Sequence, residues 1–279
     1  MPLYEAGYRT YAGPRPEPRF RFLPIIRMEL RELWRLKRLR LPFIAAFTPC
    51  LVHVVLLYIS SIGQYRYDEP LKLPFYAKYF TEPWNWVCLL LVTTAYGTAL
   101  IARDLKSNAL DLYFSRPVTG SDYVLGKCLA LATPLLLLTM VPMVTIWGAA
   151  ALLEPDWEFL GQSWPWLPKI LGCALLVTTV LTIPCLAVST LSANAWFAGG
   201  TWIVLFLFSD VAANLVREIF RHSRYSWFGL AHAVRQTNAW LFDPPRRPYQ
   251  FDPEVGAGFL AALLVLSLGR LWWFKRKYV

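Results

Sequence analysis

Few side chains in this sequence have both the type and the setting for chemistry, and the first is a lysine. In RPVTGSDYVLGKCLAL, residues 116–131, Gly120 precedes a Gly126-Lys127 pair. A phosphate-cradling loop reads G-x-x-x-x-G-K followed by Ser or Thr; its backbone N–H groups wrap the phosphates and its hydroxyl meets Mg²⁺. The match fails at three points. Five residues rather than four separate Gly120 from Gly126, and Cys128 stands where the hydroxyl is needed. An apolar run also begins at once, where the loop requires a soluble strand–loop–helix unit. ATP binding by this chain is therefore rejected.

The other reactive groups assemble no site. His53, His222 and His232 lie in different regions and do not form H-E-x-x-H, and no apolar run carries paired aspartates. An intramembrane hydrolase would need one or the other. Cys50, Cys88, Cys128, Cys173 and Cys185 all fall in or at the edge of apolar runs, without metal or disulfide spacing, so packing is their expected use. No catalytic, cofactor-binding or metal-ligating residue is expected in the chain. His53 reads as a helix–helix hydrogen bond rather than a proton relay. Asp210 reads as a boundary residue near Arg217. A nearly uncharged midplane argues against a proton or sodium antiporter, which keeps costly buried charges for its ions.

The elements that must position these residues are apolar. The chain is 279 residues long, 56% hydrophobic and 16% charged, where roughly a quarter charged is usual for soluble proteins. Six runs approach the about 20 residues that cross a bilayer: 42–62, 84–102, 128–153, 168–190, 193–213 and 255–274. The fourth and fifth are separated only by Leu191 and Ser192 and could be one broken segment. Their joint length and the turn-prone Ser192-Ala193-Asn194 favour two helices. The expected fold class is thus an all-α polytopic membrane protein with six transmembrane helices. Residues 1–20 are polar and Pro-rich, with no apolar core of a signal peptide, and read as a disordered tail.

Orientation follows from Lys and Arg. Ten basic residues precede the first span, four lie between the second and third (Arg103, Lys106, Arg116, Lys127), and Arg270, Lys275, Arg276 and Lys277 form a basic tail. With six spans these three sets share one side, so both termini are expected in the cytoplasm. The loop 214–254, carrying Arg217, Arg221, Arg224, Arg235, Arg246 and Arg247, would then lie outside, against the rule. The net charge of +10 is read as topological, with no nucleic-acid partner.

Residues 21–41 have helical periodicity. Leu23, Ile26, Leu30, Leu33 and Trp34 share one sector, and Arg27, Arg31, Arg35 and Arg38 the next. An apolar stripe bordered by a basic one suits an amphipathic helix in the lipid interface, with Pro42 marking the bend into the bilayer. The alternative is an ordinary cytoplasmic helix with a solvated charged face. Trp84, Trp86, Trp157, Trp164, Trp166, Trp272 and Trp273 gather at span ends as interfacial anchors, with an aromatic binding platform as the lesser reading. Ala195 and Gly199 form a small-xxx-small pair for close packing of the fifth span.

Between the second and third spans, residues 103–127, the helix of the second span is expected to continue with Leu105, Ala109, Leu112 and Tyr113 on one face. Arg116-Pro117 ends it, Val118-Thr119-Gly120 turns the chain, and Ser121 caps the returning helix. Lys127 is placed to snorkel to the interface. The segment's charges could also serve topology alone.

The order Asp104, a leucine-bearing helix with Leu110, Ser115-Arg116-Pro117-Val118, Tyr123 and Gly126-Lys127 resembles the membrane subunit of type-2 ATP-binding-cassette (ABC) exporters. Six spans, the amphipathic helix and a long loop before the last span extend the likeness. The resemblance implies a permease of the bacterial plasma membrane that works with a second permease subunit, identical or homologous. Separate cytoplasmic ATPase subunits would hold ATP and Mg²⁺. It also implies that 103–127 is a coupling loop docking on the ATPase, with polar contacts from Asp104 and Arg116 and packing from Leu110, Leu112 and Tyr113. Pro117, Tyr123 and Lys127 would complete the loop, and Arg27, Arg31, Arg35 and Arg38 would meet membrane lipids. A non-transporting membrane scaffold or assembly factor is the alternative.

Overall fold

The computed structural model describes residues 20–63, 67–79, 82–115, 118–153, 158–221, 226–242 and 253–278. The expected tail before Phe20, Arg116-Pro117 and residues 243–252 lie outside the described residues. All regular structure among those described is helical.

The chain enters through α1 (Leu23–Arg35), started by Pro24 in its first turn, where the missing N–H costs nothing. The break before the first long helix falls at Leu36, whose ψ of 90° is extended, so α2 (Lys37–Ser61) already contains Pro42. The bend expected at Pro42 is thus one turn and a half earlier: a proline in a membrane helix loses one backbone bond without ending the helix. After the short α3 (Leu73–Tyr79), α4 (Pro83–Val92) runs through a π-helical turn, Thr93–Gly97, into α5 (Ala99–Lys106). Then come α6 (Ala109–Phe114), α7 (Gly120–Leu153), α8 (Glu158–Ser163), α9 (Trp166–Ser189), α10 (Ala195–Phe220), α11 (Leu230–Phe242) and α12 (Pro253–Tyr278).

Among the described residues five stretches, where six were expected, are long and apolar enough to cross a membrane: Leu39–Ser61, Pro83–Lys106, Gly120–Leu153, Trp166–Ser189 and Glu254–Tyr278. The helix α10, expected as the fifth span, is 26 residues long but is not among these five stretches. It is separated from α9 by a turn in which the Asn194 side chain accepts from the Trp196 N–H at 3.0 Å. Its Gly199 faces Thr94 and Thr98, where an added Cβ would sit 3.4 Å from the Thr98 hydroxyl. The apolar core runs along α7 and α9, through Leu131, Leu135, Met143 and Ile146 on one and Ile170, Val177 and Leu181 on the other. The outer faces of α2 and α12 expose Leu41, Ile44, Leu51, Val265 and Leu266, as helices facing hydrocarbon do.

The connectors sort to two ends. At one, α11 packs on α3, Tyr76 meets Trp166, and Lys169 donates to the carbonyl of Phe242 at 3.0 Å. Of the basic segment that ran against the charge rule, α11 with Arg235 therefore sits beside α3. His53 is held at this end too. Its ring bonds the Tyr67 hydroxyl at 2.7 Å, so one of its partners is a loop tyrosine. Asp210 accepts from the Ala231 N–H at 3.0 Å and stabilises the start of α11. The other end carries α1, α6, the α9–α10 turn and the last turns of α12, where Lys275 donates to Ser121 Oγ at 2.6 Å.

The π turn positions this second end. A π-bulge releases backbone groups from the helical ladder. Here Ser189 of α9 fills the gap: its hydroxyl accepts from the N–H of Ile101 (3.1 Å) and Ala102 (3.0 Å) and donates to the Thr98 carbonyl (2.6 Å). Gly97 allows the approach, because a Cβ there would come within 2.8 Å of Cys185 Sγ and Leu131.

Candidate functional site

Directly beyond the π turn, four elements meet around Lys127. The α7 helix starts with a capping box: Asp122 accepts from the Thr119 N–H (3.0 Å) and hydroxyl (2.7 Å), while the Thr119 hydroxyl accepts from the Asp122 N–H (3.2 Å). The cap is thus Thr119, not Ser121, because Gly120 already lies inside the helix. Two turns later Gly126 presents no side chain to α1, and a Cβ there would press on Ile25 at 3.1 Å. This close approach seals the neighbouring lysine.

Lys127 is fully buried. Its ammonium donates to Glu29 Oε1 of α1 at 2.5 Å and to the Leu100 carbonyl at 3.0 Å, and forms an ion pair with Asp104 Oδ2 of α5 at 2.6 Å. Two hydrogen bonds and two carboxylates thus surround the ammonium. Snorkelling does not occur, because α1 lies across the route to the interface. Asp104 also accepts from the Tyr123 hydroxyl at 2.7 Å. Arg103 extends the cluster, 3.4 Å from Glu29 and 2.7 Å from Glu32. The rings of Tyr113 and Tyr123 flank the ammonium at 5.7 and 5.4 Å. Burial, followed by the nearby carboxylates, holds the Tyr113 phenol well above its ordinary range, so it stays neutral.

The helix α6 is set on this cluster. The expected continuous helix is broken: Ser107 and Asn108 turn the chain, with Asn108 in the left-handed region at φ 52°, which asparagine tolerates better than most residues. Separate placement of α6 changes which side chains face outward. Leu110 is buried, and Tyr113 and Phe114 pack on Tyr123. Leu112, at 65% exposure, points away from the bundle. Of the coupling residues inferred from sequence, Asp104, Leu110, Tyr123 and Lys127 therefore face inward, where they position α6. Asp104 and Leu110 make internal contacts in the folded chain. Arg116 and Pro117 lie outside the described residues.

The residue the sequence reading missed is Glu29. It is 3% exposed and supplies the anionic partner for both Lys127 and Arg103. A signal existed: Ile25, Glu29 and Leu33 stand four residues apart and form the buried stripe of α1. The inward face is thus rotated from the expected sector, and Leu23 and Trp34 are exposed. Arg27, Arg31 and Arg35 are exposed as well; the side chain of Arg38 is not described. Among the described residues no three His, Cys, Asp or Glu side chains gather as a metal site would.

The comparisons agree with this architecture. No curated protein matches the chain. A family model described as ABC-2 family transporter protein matches residues 29–209, from Glu29 of the buried cluster to the middle of α10. With that match over well more than half of a multi-pass helical chain, the protein belongs to the ABC-2 transporter family and is a membrane permease component of an ABC transporter.

Proposed function

We propose that this permease forms the substrate pathway as a dimer, with an identical or homologous subunit, and that α6 is its coupling helix. ATP and Mg²⁺ would be bound and hydrolysed on separate cytoplasmic ATPase subunits. The chain would cross the bacterial plasma membrane six times, α10 being the fifth crossing, with both termini and α6 in the cytoplasm. The α1 helix would lie in the interface, Arg27, Arg31 and Arg35 towards anionic headgroups.

The observation that carries this reading is the buried cluster of Glu29, Lys127, Asp104 and Tyr123. It ties α1, α5 and α7 together beneath α6, while Leu112 remains free on the outward face. A push on α6 then cannot be absorbed by a loose loop. It is passed to the second and third spans and to α1, because packed elements joined by satisfied polar contacts move as units.

The test is co-purification of the full chain with ABC ATPase subunits from its own cells, and ATP hydrolysis by the complex. Leu112→Asp and Arg116→Glu are expected to lower ATPase recovery and turnover at least about tenfold, the cost of losing one well-packed contact, while thermal stability of the permease alone is unchanged. Recovery of the ATPase at wild-type levels with both variants would refute α6 as the docking element. Failure of any ATPase to co-purify would favour the scaffold reading.

A further inference from the structure

A second feature lies between α10 and α12, partly beyond the matched residues 29–209. The helices α10 and α12 diverge from their contact with α11 and leave a groove of about 850 Å³ between them, floored by α9. Small residues open it: Ala187 on the floor, and Gly258 and Ala262 along α12. Trp227 packs edge-on against Phe259 and closes the α11 end. From Phe259 to Arg270 the groove follows 12 residues of α12, roughly 17 Å of helix. One leaflet of hydrocarbon is about 15 Å deep.

Arg270 ends the groove at the level of α6. The sequence reading placed it in a polar tail, but α12 continues to Tyr278 and Arg270 is half-buried within it. Its Nε and Nη2 donate to Thr190, to the hydroxyl at 3.1 Å and the carbonyl at 3.3 Å. Trp273 supports the guanidinium from one face, 4.5 Å away. Among the described residues no acceptor meets its Nη1 and no carboxylate pairs with it. Of the two carboxylates in the adjoining recess of about 340 Å³, Asp104 is already engaged by Lys127 and Tyr123. Asp111 is the other, and Lys277 adds a second cation there. A guanidinium held in place with an unused donor suits a phosphate oxygen.

We propose that this groove holds a glycerophospholipid, one acyl chain lying between α10 and α12 and the phosphate on Arg270. The charge at one end and the apolar length beyond it together select an amphiphile with an anionic group. A wholly apolar chain would leave the arginine without its counter-charge, and a soluble anion would leave the groove unfilled. The inference needs α10 and α12 to lie in the bilayer, but it does not involve the ATPase.

The full chain is reconstituted into nanodiscs of phosphatidylethanolamine and phosphatidylglycerol, returned to mild detergent, and weighed by native mass spectrometry. Wild type is expected to retain one phospholipid. Arg270→Gln removes the cation, and Gly258→Leu fills the groove at a position where an added Cβ meets nothing within 4 Å. Each is expected to lower retention roughly tenfold, as for loss of one charge-assisted contact, and excess inorganic phosphate is expected to displace nothing. Because Arg270 also fastens Thr190, Gly258→Leu decides alone if the arginine variant fails to fold. A wild type that retains no lipid overturns the proposal. So do variants that retain lipid as wild type does, displacement by phosphate, or a peptide or second copy filling the groove instead. None of these outcomes bears on ATPase docking, which is read by co-purification.

Discussion

Replacing Lys127 by methionine removes the only cation between Glu29 and Asp104 while keeping most of the side-chain volume. The ammonium is wholly buried, and the two carboxylates have side-chain exposures of 4% and 13%. Water replaces the lost partner poorly at Glu29, and reaches Asp104 from the recess it lines. Breaking a buried pair from one side costs about 3–5 kcal/mol, because the remaining charge stays desolvated. Arg103, 3.4 Å from Glu29, offsets part of that for one carboxylate only. The expected loss is therefore at the lower end, about 3 kcal/mol. Adding Glu29→Gln to Lys127→Met removes one stranded charge and should restore about 1–2 kcal/mol, a coupling typical of residues in one polar network. The assay is reversible unfolding of the purified chain in mixed micelles with increasing sodium dodecyl sulfate, followed by tryptophan fluorescence. A single variant within about 1 kcal/mol of wild type, as for an exposed pair, would refute the buried-cluster reasoning. So would a second substitution that deepens the loss.

The Arg103–Glu32 contact is short at 2.7 Å, but both side chains are more than a third exposed; Glu32→Ala should cost no more than about 1 kcal/mol in the same assay. Gly97→Val drives new atoms into Cys185 and Leu131, whose nearest atoms lie 2.8 Å from the added Cβ. It should cost about 1–3 kcal/mol. At Gly148 no atom lies within 4 Å, so Gly148→Ala should be neutral or stabilising by up to about 1 kcal/mol. His232, in α11 and 3.2 Å from Asn214, has its pKa lowered from 6.5 by burial first and then by Arg235 and Arg217. The folded state resists protonation while the unfolded chain accepts it, so this stability is complete above pH 6.5 and is lost as pH falls below it. Thermal midpoints measured from pH 8 to 5 should fall less steeply for His232→Gln; parallel profiles would refute the assignment.

Much of the fold could be read locally. Charged residues gather between apolar runs in the order a polytopic chain requires, and Asn194 marks the α9–α10 turn in sequence as it does in space. The candidate site was readable only in part. The order Asp104, Leu110, Tyr123, Lys127 pointed to the segment, but not to the direction each side chain faces. The spacing of Leu105, Ala109, Leu112 and Tyr113 suggested one continuous helix; a single left-handed residue, Asn108, undoes that register and turns Leu112 outward. Lys127 at the head of a span reads as a snorkelling residue until a second helix covers it.

The amino-acid pattern by itself determined what depends on contact with the solvent: which runs are apolar enough for a bilayer, where charges must gather, and why Gly126-Lys127 cannot cradle ATP. Tertiary structure decided what depends on distant partners. Glu29 and Lys127 lie 98 positions apart, and Arg270 and Thr190 lie 80 apart. Periodicity registers only neighbours three or four residues away on one helix. Whether a charged side chain ends in water, in lipid headgroups or in a buried pair is set by the helix laid across it.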